Sequence, residues 1–312
     1  MLNTKTTISI IIPVYNSENT IAKLVDTLIR ELENYNTEIV LINDGSIDNS
    51  EKICEDLGSR YPNEVVFCSL AKNVGEHNAV MAGLNECTGD FAVIMDDDFQ
   101  NPISEVLKIF QEIQTKDVDV IYTYYEKKQH AFFRNVGSKF NDFVATKMLD
   151  KPKDLYLSSF KGVNRFLINE IIKYKQPFPY IDGLILRSTS KIGKIKVVHH
   201  KRNEGKSGYT LSKLVSLWSN MFINFSILPL RLSIILGFVS AFLGFVFAII
   251  SLFEKMINPD IPTGYSAIII TVTIFSGIIL ISIGVIGEYL GRLFIAQTSK
   301  PQYIIRKKIK KK

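Results

Sequence analysis

Histidine and cysteine are scarce in this 312-residue chain, four of the first and three of the second. Cys54, Cys68 and Cys87 are odd in number and lack metal-like spacing, so neither a disulfide framework nor a thiolate metal site is expected. The plain reading is reduced thiols in a cytoplasmic domain. His199 and His200 have no partner at metal-ligand spacing, and His77 reads as structural. No G-x-G-x-x-G is present, and the first Gly that a P-loop ending in GKS (205–207) would require falls at His200. Charge is also short: of the net +6, six units sit in the last seven residues, RKKIKKK. The remainder is near neutral, which excludes a basic nucleic-acid-binding face and leaves a local basic tail. The beginning of the chain has no charged region followed by a long apolar run and cleavage site, so no signal peptide is expected.

What the chain does have is apolar length. Leu232 to Phe253 and Ser266 to Gly287 are each 22 residues without a charge, enough to cross a bilayer at about 20 residues per helix. The link between them has a single Lys, whereas basic residues precede the first span and follow the second. The positive-inside rule then puts both ends in the cytoplasm and the link outside. Just before the first span, Leu211, Leu214, Val215, Trp218, Phe222 and Phe225 share one helical face, the pattern of a helix lying in the membrane interface. The expected organisation is a cytoplasmic unit over 1–209, an interfacial helix over 210–230, a transmembrane hairpin over 231–290 and a basic cytoplasmic tail over 291–312.

Residues 7 to 124 alternate between strand and helix patterns. TISIIIPV, TEIVLIND, EVVFCSL, DFAVIM and DVIYTYY read as strands, with helical periodicity between them. Ser17 or Asn16 is placed to cap the first helix. Apolar, β-branched strands alternating with helices predict an α/β fold with a parallel, doubly wound sheet. Such sheets bind ligands at the carboxyl ends of their strands. Three polar clusters fall there: YNSE, NDGS and DDDFQ.

The last cluster concentrates three carboxylates, and a divalent cation is what would make that favourable. Mg²⁺ and Mn²⁺ take oxygen ligands, and Mg²⁺ commonly uses one or two carboxylates plus substrate phosphates. In an extended segment Asp96, Asp98 and Gln100 would point one way and Asp97 another.

SIIIPVYNSENTI, LINDGSIDNS and NVGEHNAVMAGLNECTGDFAVIMDDDFQNP together resemble glycosyltransferase family 2, which has the GT-A fold. Within it the chain is most similar to membrane enzymes that move a sugar from a nucleotide onto a polyprenyl phosphate. Their D-x-D-L-Q-x-P signature is matched by Asp96, Asp98, Gln100 and Pro102, and RNEGKSGYTLSKL and FSILPLRL continue the likeness. The resemblance implies that Pro13, Tyr15 and Glu18 line the base and ribose and that Asp44 reads the base edge. It implies that Asp96, Asp98 and Gln100 hold Mg²⁺ or Mn²⁺ against the diphosphate, and that Arg134 and Ser138 grip the acceptor phosphate. Arg202 would lie near the transferring phosphates, with Ser207 beside it. Asp98 and Arg202 are the residues it puts closest to the chemistry. Asp97 stands where relatives usually have a small residue, Glu76 where they often have a basic or amide one, and Gly208 where a Lys is common.

The implied reaction is an inverting transfer to a polyprenyl phosphate, undecaprenyl phosphate foremost. A phosphate monoester is already an anionic nucleophile at neutral pH, so it does without a strong base. The absence of Q-x-x-R-W argues against a processive polysaccharide synthase. Transfer to a lipid-linked saccharide or other hydroxyl would need a base, for which Asp182 is placed. From another class, a non-catalytic sugar-nucleotide-binding membrane subunit is the alternative. The partners expected are the nucleotide sugar, the lipid phosphate and the membrane, with homo-oligomers allowed and nucleic acid excluded.

Overall fold

The computed structural model describes residues 6–125, 151–152, 154–198, 228–258, 264–297 and 300–310. In chain order its elements are β1 (Thr7–Val14), α1 (Ile21–Glu31), β2 (Asn36–Asn43), α2 (Ser50–Arg60), β3 (Val65–Leu70), α3 (Glu76–Glu86), β4 (Phe91–Ile94), α4 (Ile103–Thr115) and β5 (Val120–Tyr124). They continue with β6 (Lys161–Asn164), α5 (Arg165–Ile171), α6 (Ile181–Ser188), β7 (Ile192–Lys196), α7 (Leu228–Ile257), α8 (Tyr265–Gln297) and β8 (Ile305–Ile309). Two compact units result, Met1–Leu211 with Lys300–Lys312, and Ser212–Ser299.

The first unit is built on one eight-stranded sheet in the order β7-β5-β6-β4-β1-β2-β3-β8. β1 runs parallel between β2 and β4, and both its faces are covered, Ile11 by α3 at Gly83 and Ile8, Ile10 and Ile12 by the core that α1 and α4 share. That is why TISIIIPV is apolar without alternation, and why Ile8, Ile10, Ile11 and Ile12 are fully buried. On α1, Ile21, Leu24, Val25 and Leu28 recur at helical spacing and are the residues it buries. Its cap differs from expectation: Thr20 is the N-cap, without a side-chain bond, and Ser17 contributes only its carbonyl. The three cysteines are free and buried.

Two features depart from the simple alternation. β6 enters antiparallel between β4 and β5, so β5 does not neighbour β4. Its four residues are too few to show a period in sequence. The second departure corrects the expected tail. Residues 305–309 form an edge strand antiparallel to β3. Lys307 pairs with Glu55, Lys308 with Glu86, and Lys310 lies 3.6 Å from Glu38. Arg306 donates to the Ala71 carbonyl at 3.2 Å. A strand rich in lysine suits a sheet edge, where charge blocks pairing with other chains. Deleting residues 300–312 should therefore bare the β3 edge. We expect faster proteolysis and aggregation of the first unit, read by limited proteolysis and light scattering. Unchanged behaviour would mean that β8 contributes no stability.

The second unit holds helices of 30 and 33 residues. Its most apolar stretches, Leu230–Phe247 and Ile274–Ile295, bury none of their residues. Phe238 is 75% exposed and Leu280 68%. A soluble core helix would cover such side chains, so lipid is the solvent that suits them and the chain is a membrane protein. The two helices pack together, with Gly244 against the Phe275 ring. Of the expected interfacial helix, 210–227 lies outside the described residues, and 228–230 begins α7.

Candidate active site

Because β1 to β4 are parallel, their carboxyl ends share one sheet edge. The amino end of antiparallel β6 falls on the same edge. YNSE, NDGS and DDDFQ thus leave the sheet side by side, next to the serines that precede β6.

The loops after β1 and β2 are laced together. Asn16, in the left-handed region at φ 55°, receives the Ile47 N–H on Oδ1 at 2.9 Å. Glu18 Oε2 accepts from the N–H and the side-chain amide of Asn49 at 3.0 and 2.9 Å. Pro13 is half-buried near the end of β1, and the Tyr15 ring is exposed beyond it. Asp44 is buried, and its two oxygens accept from Val74 N–H at 2.8 Å and Gly75 N–H at 2.9 Å. Burial pushes its carboxyl up, and the two N–H groups pull it back. The side chain expected to read a base edge thus ties down the loop after β3. Gly45 makes this possible at φ 64°, since a Cβ there would lie 2.5 Å from the Asn73 nitrogen. Gly45→Ala should destabilise the first unit by more than about 1 kcal/mol, seen as a lower unfolding temperature; no change would contradict the tight approach.

At DDDFQ the strand ends at Ile94 and the chain turns. Asp96 Oδ2 accepts from Ser159 Oγ at 2.8 Å. Asp98 Oδ1 accepts the Gln100 N–H at 3.1 Å. Phe99 is left-handed at φ 56°, a strained conformation for a bulky residue. The extended alternation expected for Asp96, Asp98 and Gln100 therefore breaks before Gln100. Asp97 does point elsewhere: it accepts from Ser17 Oγ and from the Tyr15 N–H at 3.3 Å, bracing the β1 loop. Its carboxyl is pushed up to about 6, first by burial and then by Asp96 and Asp98, against the pull of Ser17 and Tyr15.

Beyond DDDFQ the edge continues into a group that the sequence did not single out as a unit. Buried Lys161, at the start of β6, pairs with Asp182 in the first turn of α6. Tyr122 donates its hydroxyl to the same oxygen, Asp182 Oδ1, at 2.8 Å. The Lys161 ammonium also lies over the Tyr122 ring, 5.0 Å from its centroid. Glu76, at the start of α3, feels the charges of this group. Its carboxyl is pushed up to about 7, first by withdrawal from water among protein atoms, although its outer face stays exposed. Asp96 raises it next, Lys161 opposes, and Asp182 and Asp97 add to the rise. The His77 ring meets Tyr180 edge to face at 5.1 Å, and burial holds it neutral with a pKa lowered to about 4.

The residues present suit a divalent cation. Asp96 and Asp98 offer hard oxygen ligands at the strand end, and their neighbours Asp97 and Glu76 carry carboxyls raised first by burial and further by the negative charge around them. Among the described residues no three acidic, histidine or cysteine side chains form a closed cage, so substrate oxygens would complete the shell. Arg134, Ser138, Arg202 and Ser207 lie outside the described residues.

Known proteins share the sequence pattern and the fold. The sequence profile described as "Glycosyl transferase family 2" matches residues 9–172. A curated relative from Proteus mirabilis, undecaprenyl-phosphate 4-deoxy-4-formamido-L-arabinose transferase, is 29% identical over 304 residues, covering 96% of this chain and 93% of its own. The Photorhabdus laumondii protein of the same name is 28% identical with the same coverage. In fold, the chain is similar to Mycobacterium tuberculosis glucosyl-3-phosphoglycerate synthase, with a TM-score of 0.51 and 18% identity over 70% of this chain and 81% of that one. A complex of the same enzyme with Mn²⁺, UDP and phosphoglyceric acid also scores 0.51, at 18% identity over 70% of this chain and 79% of that one.

Proposed function

The chain belongs to glycosyl transferase family 2, and from that premise we propose that it moves a sugar from a nucleotide donor onto a polyprenyl phosphate at the cytoplasmic face of a membrane. The single observation that carries the reading is one sheet edge with a polar loop after each parallel strand, in a chain whose last third is two lipid-suited helices. The relatives' name makes undecaprenyl phosphate the acceptor to test first, and their 4-deoxy-4-formamido-L-arabinose the first sugar.

In this reading the base and ribose rest against Pro13, Tyr15 and Glu18, and Asp44 fixes the floor beneath them. Asp96 and Asp98, with Gln100 beside them, would hold Mg²⁺ or Mn²⁺, which when bound neutralises the diphosphate as it leaves. Ser159 holds Asp96 in place for that task. Arg134 and Ser138 take the acceptor phosphate, and Arg202 with Ser207 offsets the charge between acceptor and donor. The acceptor brings its own negative charge, so no side chain has to remove a proton. Attack opposite the leaving diphosphate inverts the anomeric centre. A hydroxyl acceptor would instead need a base, and the Asp182 carboxylate is already engaged at Oδ1 by both Lys161 and Tyr122.

The test incubates membranes holding the full chain with a panel of sugar nucleotides, undecaprenyl phosphate and a divalent ion, then weighs the lipid product by mass spectrometry. A product heavier by one glycosyl unit, with its phosphate retained, is expected. Sugar found only on a lipid-linked saccharide would overturn the acceptor. Ser159→Ala should raise the ion concentration needed for half activity about ten- to hundredfold, the usual effect of losing a partner that orients a ligand. An unchanged requirement would remove Ser159 from that role.

A further inference from the structure

The order of strands says where each part of a bound donor would lie. From β2 through β1 and β4 to β6 the edge spans three strand intervals, each about 4.8 Å. That is roughly 14 Å, the length over which a nucleotide sugar extends from base to sugar. If the base rests at β1 and β2 and the diphosphate at Asp96 and Asp98 after β4, the sugar reaches the start of β6, facing α3 and α6. Two carboxylates wait there. Glu76 keeps an exposed face. Asp182 is only 8% exposed, and both its protein partners bond to Oδ1. Among the described residues Oδ2 has no protein partner, yet it is not sealed from solvent. The packing of α6 against α3, and the effect of Asp182 on Glu76, place the two carboxylates around one space. Lys161, a buried cation beside them, is committed to Asp182 and lies over the Tyr122 ring.

We infer that Glu76 and the free oxygen of Asp182 read the donor's sugar ring, with Lys161 and Tyr122 as positioning residues that fix the Asp182 carboxylate. Among the described residues such a surface accepts hydrogen bonds more than it offers them. It takes a sugar that presents hydroxyl, amide N–H or amine donors and refuses one that presents a carboxylate. A uronic acid would meet like charge at short range in a partly dry cleft, where repulsion weakens binding by at least about tenfold. Breaking the buried pair from either side frees Asp182 to turn, or removes its charge, and the discrimination goes with it.

The inference rests on the donor site proposed above, and its test leaves out the lipid, so that an error about the acceptor does not affect it. Calorimetry on the full chain in detergent, with Mn²⁺, would compare UDP, UDP-glucose and UDP-glucuronate, and GDP, GDP-mannose and GDP-mannuronate. In the series that binds, the neutral sugar nucleotide should bind at least about tenfold more tightly than its uronate. Glu76→Gln, on an exposed helix start, and Asp182→Asn should each shrink that ratio toward one while the bare diphosphate keeps its affinity within about twofold. Lys161→Arg should retain the ratio better than Lys161→Met, which a merely structural lysine would not require. Equal binding of neutral and uronate donors by the unaltered chain, a comparison that needs no variant, overturns the inference. So does a variant that weakens the bare diphosphate as much as the sugar nucleotide. Failure of both series to bind would overturn the donor site itself, whereas intact discrimination without transfer to undecaprenyl phosphate would fault only the acceptor.

Discussion

Asp98→Asn is expected to lower sugar transfer by at least about a hundredfold, and excess chelator to abolish it in the unaltered chain. Replacing a carboxylate by an amide keeps the shape and removes the charge that would hold a divalent ion against the diphosphate. Electrostatic stabilisation of a leaving group is commonly the largest contribution to such a barrier, with about a hundred- to thousandfold lost when one contact is removed. The fold should survive. Asp98 is only half-buried, and the turn that it closes onto the Gln100 N–H can be closed by the amide oxygen of Asn. Circular dichroism and an unchanged unfolding temperature would establish that. Asp97→Asn is the contrasting variant: it should loosen the Tyr15 and Ser17 loop and weaken donor binding, with a smaller effect on the requirement for the ion. Full activity in chelator, or of Asp98→Asn, would remove the cation from the proposal.

Arg134→Ala is the second large effect. The resemblance assigns Arg134 to the acceptor phosphate, where a charge-assisted bond is worth on the order of 1.5–3 kcal/mol. At about 1.4 kcal/mol per tenfold, the loss in catalytic efficiency is roughly ten- to hundredfold. It should appear when polyprenyl phosphate is varied, while calorimetric binding of the nucleotide sugar in the absence of lipid barely moves. Asp44→Ala should do the reverse. Its carboxylate anchors the loop after β3 beneath the donor, so nucleotide binding should weaken first. Arg134→Lys should rescue in part, since an ammonium supplies charge without the planar fork. Weaker nucleotide binding with an unchanged lipid dependence would transfer Arg134 to the donor side and leave the acceptor phosphate to Arg202, Lys206 and Ser207.

How much of this was legible beforehand depends on the range of the interactions. The strands and helices from Thr7 to Tyr124 are written locally, as continuous apolar runs or helical spacing within ten or so residues. The two long apolar helices are legible for the same reason. So is the place of Asp96 and Asp98, because a strand pattern ending in carboxylates puts them at a sheet edge whatever the neighbours are. The role of Asp97 was not legible: its partners, Ser17 and the Tyr15 N–H, lie some 80 residues away across the sheet.

Sequence alone therefore determined the α/β class, the carboxylates at the strand end, the membrane-suited hairpin and the family, since each depends on composition or spacing over a short window. Only the tertiary structure decided that IRKKI is an edge strand. Its pairing with β3 runs through the main chain, which side chains do not announce, and its lysines find Glu38, Glu55 and Glu86 more than 200 residues earlier. Only the tertiary structure, likewise, joined Lys161, Asp182 and Tyr122. Each belongs to a different element, and a buried ion pair exists only once β5, β6 and α6 have closed around it and excluded the water that would otherwise keep the charges apart.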